Sequence, residues 1–171
     1  MGTVYQTFTP DAALFQTTAF PQLKTINGTN YPVMGLYYDG TVSELAYWQF
    51  KLRNYGAGVD MIVTLDWYAD TAVANAVVWE AALAAITPDA DTQDVETRAF
   101  GTAATVTDTH LTTTGQRLHT CSITLTGSGP LNSAADGDAC WMRIARLPAN
   151  AADGMAGDAV LIGWQLAYSD T

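Results

Sequence analysis

From residue 31 onward, apolar and polar residues alternate in short runs separated by turn residues. In VTLDWYADTA (63–72), Val63, Leu65 and Trp67 alternate with Thr64, Asp66 and Tyr68 before the chain breaks at Ala69-Asp70-Thr71. Successive strand side chains point to opposite faces, so this period of two predicts a half-buried strand running into a turn. The same reading predicts strands at PVMGLYYD (32–39), closed by the turn dipeptide Asp39-Gly40, and at LAYWQFKL (45–52), with Ala46, Trp48, Phe50 and Leu52 inward. VDMIVTLDWYA (59–69) turns Met61, Val63, Leu65 and Trp67 inward, and HTCSITLTGSG (119–129) turns in Cys121, Ile123 and Leu125. DACWMRIARL (138–147) buries Cys140, Met142 and Ile144 with Arg143 opposite. AVLIGWQLAYSD (159–170) is expected to bury Val160, Ile162, Trp164, Leu166 and Tyr168, with Gly163, Gln165 and Ala167 outward.

One segment admits two readings. TAVANAVVWEAALAAI (71–86) has enough alanine for a helix, yet Val77, Trp79, Ala81, Leu83 and Ala85 alternate and VVW suits a strand. The strand is preferred; the helix, packed on a sandwich, is the alternative. TPDADTQD (87–94), TVTDTHLTTTGQR (105–117), SGPLNSAADGD (128–138) and PANAADGMAGD (148–158) are Gly, Asp, Asn and Thr clusters of the kind that form loops. About eight strands joined this way predict an all-β fold, an antiparallel β-sandwich of jelly-roll type. Residues 1–30, Thr-rich and weakly periodic with Pro10 and Pro21, are expected to be an extended N-terminal arm, ordered only where a surface holds it. Residues 31–171 form the jelly-roll domain.

Composition supports one well-filled domain: 171 residues, 49% of them hydrophobic, with five Trp and eight Tyr. Charge narrows the partners. Seventeen acids against seven Lys and Arg give a net charge of −10, which repels nucleic-acid phosphates. No apolar run reaches the ~18 residues of a membrane span, and MGTVYQTFTPDAALF has neither the basic n-region of a signal peptide nor a myristoylation pattern. Cys121 and Cys140 read as small buried hydrophobes with free thiols, as in a protein made in a reducing cytoplasm, with a single bridge between them left open.

The search for chemistry yields little. His119 and Ser122 lie three positions apart on one strand, hence on opposite faces, and GxSxG is absent. His110 reads as a solvated loop residue. Glu44, Glu80 and Glu96 have no motif around them; Glu80 beside Trp79 has the acid-next-to-aromatic character of a sugar cleft, but alternation already places it outward, and a solvated acid is the preferred reading. Asp89, Asp91, Asp94 and Glu96 offer oxygen ligands for calcium but lack the Gly and terminal Glu of an EF-hand, and an acidic turn is the preferred reading. Neither a catalytic residue, a cofactor-binding residue nor a metal ligand is predicted, and the chain is read as a non-enzyme. Trp141 and Tyr47 fall on outward positions, where aromatics mark contact surfaces.

NYGAGVDMIVTLDWYADTA, VVWEAALAAITPDADTQDVETRAF, TVTDTHLTTTGQRLHTCSITLT, DGDACWMRIARLPAN and the terminal LAYSDT together resemble a family of small jelly-roll proteins of tailed-phage and phage-like genomes. The resemblance covers residues 31–171, with ITPDADTQD and TTTGQRLH its most specific parts. It implies a structural virion protein: a capsid decoration or cement protein, a homotrimer on the major capsid protein at the outer capsid surface. The alternative on the same fold is a carbohydrate-binding or receptor-binding module of a phage fibre. An aromatic platform with acidic or amide neighbours near one loop end would favour the alternative; an apolar stripe shared by three subunits would favour the cement protein.

Overall fold

Among residues 2–71, 74–89, 94–111 and 116–170, which the computed structural model describes, ten strands form. They are β1 (Thr3–Phe8), β2 (Gln22–Asn27), β3 (Pro32–Tyr38), β4 (Leu45–Lys51), β5 (Met61–Ala69), β6 (Asn75–Ile86), β7 (Ala104–His110), β8 (His119–Leu125), β9 (Ala139–Arg146) and β10 (Ala159–Ser169). A one-turn helix, α1 (Ser128–Leu131), precedes β9. One sheet has the order β2-β3-β10-β5-β8, with β1 also paired to β10, and the other has the order β4-β9-β6-β7. All the pairings are antiparallel. From β3 to β10 the chain crosses between the sheets at each connection except the β6–β7 hairpin, which is jelly-roll topology. No helix among the described residues is long and apolar enough to cross a membrane.

The core lies between the sheets, and strand alternation fills it. Met61, Val63, Leu65 and Trp67 of β5 meet Val77, Trp79, Ala81 and Leu83 of β6 in one buried cluster. Trp67 and Trp79 pack edge-on with centroids 6.0 Å apart, a favoured arrangement for aromatic quadrupoles. Segment 71–86 contributes a strand, β6. Alanine propensity yields there to the burial of both faces, since Ala81 and Ala85 face the core while Ala82 and Ala84 are covered from outside.

Three expectations need correction. β10 does not alternate throughout: a register irregularity between Leu161 and Gly163 shifts its phase. Ala159 and Leu161 therefore enter the main core, whereas Val160 and Ile162 turn to the other face, beside Tyr37 and Tyr68. Second, part of the expected loop 105–117 is the strand β7. Its inward row is Ala104, Val106, Asp108 and His110, and the two polar members hid it from a hydrophobicity reading. Asp108 is tolerated because the Trp67 Nε1–H donates to its Oδ2 at 2.9 Å. Third, His110 is 1% exposed rather than solvated.

Residues 2–30 lie on the domain's own sheets. β1 pairs with β10 from Thr3↔Ser169 to Phe8↔Trp164, and Phe8 stacks on Trp164 at 4.0 Å. The chain then crosses to the second sheet: the Trp48 Nε1–H donates to Thr9 O at 3.0 Å, and Leu14 bridges to Tyr47 on the free edge of β4. It returns as β2, paired with β3. The segment is a strap across one open side of the sandwich.

Candidate functional site

The outer face of the second sheet carries the outward aromatics. In β6, Glu80, Ala82 and Ala84 stand opposite Ala145, Arg143 and Trp141 of β9, and Gln49 and Tyr47 of β4 follow across the sheet. Ala84 is short and lies low beside the larger side chains of β9 and β4. Phe100, from the 94–103 connection, completes the set: its ring lies 5.9 Å from Tyr47 and under the Arg143 guanidinium at 5.1 Å. The result is a cleft of ≈250 Å3 lined by Tyr47, Trp141, Phe100 and Ala84, with Leu14 and Phe15 of the strap along one side.

Polar groups edge the same cleft: Gln16, Glu96 and Arg98. Arg98 is held in place, its Nε–H donating to Ala85 O at 2.8 Å and to Asn132 Oδ1 at 3.1 Å, and its Nη2 to Asn132 O at 3.1 Å. Asn132 is the left-handed residue that ends α1 (φ 53°), so that short helix anchors the arginine. On the same sheet face, Arg143 Nη2 donates to Glu80 Oε1 at 2.8 Å. Glu80, read from sequence as a solvated acid beside Trp79, thus pairs with Arg143, while Trp79 points into the core. Burial raises the pKa of the Tyr47 hydroxyl, with Arg143 acting weakly in the opposite direction.

The other predicted chemistry stays dispersed. His119 is buried, stacked on Trp67 at 4.8 Å, whereas Ser122 faces outward and shares a hydrogen bond with Thr64 at 3.0 Å. Cys121 and Cys140 are free and buried in different sheets, and desolvation pushes both thiols up to about 12. Among the described residues no three His, Cys, Asp or Glu side chains converge to hold a metal ion. Of the proposed acidic loop, Asp91 lies outside the described residues. The sequence had singled out Trp141 and Tyr47; it missed Phe100, Gln16 and Arg98, which reach the cleft from irregular segments without periodicity.

No protein-family model and no curated protein matches the chain. Among solved structures it is similar to a family 11 carbohydrate-binding module from Clostridium thermocellum in complex with a β-1,3-1,4-mixed-linked tetrasaccharide (12% identity, 95% of this chain and 87% of that one, TM-score 0.46). It is similar also to the mannan-recognising carbohydrate-binding module TmCBM27 (7% identity, 99% of each chain, TM-score 0.46). A third likeness is to infectious bursal disease virus Gt strain (12% identity, 98% of this chain and 32% of that one, TM-score 0.44). These are likenesses of coarse shape. What those proteins bind is a property of theirs, and the class defined for this chain is the jelly-roll β-sandwich.

Proposed function

We propose that this protein is a non-catalytic binding module that holds a carbohydrate chain in the cleft of Tyr47, Phe100 and Trp141. The observation that carries this reading is the cleft itself: the rings of Tyr47, Phe100 and Trp141 beside the short Ala84, edged by a carboxylate, an amide and a fixed guanidinium. A pyranose has an apolar C–H face and a rim of hydroxyls, so it needs ring faces below and convergent donors and acceptors at its edge. Electrophoresis through gels containing soluble β-glucan, mannan or galactan tests this: at least one polysaccharide retards the protein, and Trp141→Ala abolishes the retardation without changing the fold. Retardation by none of them, or equal retardation of the variant, refutes the assignment.

A second reading, a trimeric decoration protein seated on the major capsid protein at the virion surface, is favoured by one observation. Leu14, Phe15, Phe20, Leu23, Ile26, Tyr31 and Met34 are exposed large apolar side chains concentrated in one 21-residue stretch, and such concentrations mark protein contacts. Incubation with capsids lacking decoration, followed by sedimentation, separates the two: co-sedimentation without polysaccharide retention supports the capsid reading.

A further inference from the structure

A second cleft, of ≈540 Å3, opens on the outer face of the first sheet. The irregularity in β10 turns Val160 and Ile162 to this face: Ile162 lines the cleft, and Val160 is buried between Tyr37 of β3 and Tyr68 of β5, which line it too. Tyr37 is 4% and Tyr68 9% exposed, and their hydroxyls stand 3.1 Å apart. Two hydroxyls carry two hydrogens and their mutual bond uses one, so one remains to be donated to an acceptor in the cleft. Around this pair the β2–β3 turn supplies Asn30 and the ring of Tyr31, 70% exposed, and the opposite wall supplies Asp70 and Gln116.

We infer that this cleft is a second carbohydrate site, for a neutral saccharide, on the face of the sandwich opposite the Trp141 cleft. The inference rests on the carbohydrate reading of the protein. The volume lies within the ~300–1,000 Å3 of small-molecule pockets. The spare hydroxyl hydrogen takes a sugar oxygen, the Asp70 carboxylate accepts from sugar hydroxyls, and the apolar floor with Tyr31 covers a C–H face. Neutrality follows from charge: the carboxylate of Asp70 lines the cleft and repels an anionic ligand, while Lys24 lies over the Tyr37 ring at 4.5 Å.

The test is calorimetric titration of the full chain with oligosaccharides of the polysaccharide that retards it in the gels. The wild-type chain is expected to bind two molecules, Trp141→Ala one, and Trp141→Ala combined with Tyr31→Ala none within a tenfold wider concentration range. Tyr31 sits on an exposed turn, so its removal does not threaten the fold; Tyr68→Phe, which deletes one hydroxyl, is expected to weaken the remaining site severalfold. One molecule per wild-type chain, with all binding lost in Trp141→Ala, overturns the second site and leaves the first intact. Binding of no neutral saccharide by the wild-type chain overturns both. One molecule per chain, lost in Tyr31→Ala and kept in Trp141→Ala, moves the binding to this cleft and overturns the assignment to the other face.

Discussion

The two faces of β9 carry ion pairs of nearly equal length and opposite meaning. Arg146 turns inward and meets Asp153 at 2.9 Å, with both side chains at most 1% exposed; Arg143 turns outward and meets Glu80 at 2.8 Å, with 25% and 17% exposed. Distance alone does not distinguish them. The inner guanidinium also donates to Gly157 O at 2.6 Å, to Tyr38 O and to Met155 O, so it fastens the 147–158 loop to the core by its entire hydrogen-bonding capacity. Desolvation makes each of those bonds obligatory, because a buried charge without partners is far costlier than a solvated one. The outer pair is water-screened and worth little to the fold. Charge on the inside of this strand ties a loop to the core; charge on its outside stays partly solvated.

The strongest way to break this contrast is to remove the strap, which belongs to both sides. Deleting residues 2–30 takes away the whole β1 ladder, the Phe8 stack on Trp164 and the buried Pro10. Thermal unfolding followed by circular dichroism is expected to shift further down than for any single substitution. An unchanged melt would mean that the eight-stranded jelly roll is self-sufficient.

Next in size are the inner residues. Arg146→Met is expected to cost ~3–5 kcal/mol in urea unfolding, because Asp153 is left charged and buried. Trp67→Ala, which empties a fully buried site, falls in the same range of ~3–5 kcal/mol. Asp66→Ala, its neighbour on the outer face, loses only an exposed bond from Thr120 and should stay within ~0.5 kcal/mol. Comparable losses for Trp67→Ala and Asp66→Ala would reverse the face assignment.

Arg143→Met removes the exposed pair, with an expected cost of at most ~1 kcal/mol. Trp141→Ala should leave stability nearly unchanged while ending polysaccharide retention. A large loss of stability in either variant would make the outer face structural rather than a binding surface.

The smallest effect concerns pH. Desolvation lowers the pKa of His119, with His110 adding to the shift and Asp108 opposing it. Its Nε2 accepts from the Leu111 N–H at 3.4 Å, a bond only the neutral ring can make at that atom. The folded state therefore binds this proton less readily than the unfolded chain. The resulting stability is present above the ordinary histidine value of about 6.5 and is lost as pH falls through it. Comparing urea midpoints at pH 7.5 and 5.5 for the wild type and His119→Phe checks the sign: the wild type should lose more on acidification.

The sequence determined where most strands lie and which way they face. Period-two runs need one apolar side to bury, and that requirement is local enough to be read residue by residue in β4, β5, β8 and β9. It also marked Trp141 and Tyr47 as outward, two of the aromatic rings of the first cleft. Tertiary structure decided the rest. Whether the alanine-rich run became a strand depended on partners on both of its edges, β7 and β9, and on the core that receives Val77, Trp79, Ala81 and Leu83. Asp108 could face inward only because Trp67, on the opposite sheet, offers its Nε1–H. The phase shift in β10, the pairing of β1 with β10, and the meeting of Phe100, Arg98 and Gln16 at one cleft all join positions far apart in the chain. No local period encodes such contacts, because their free energy arises only when two separate surfaces exclude water together.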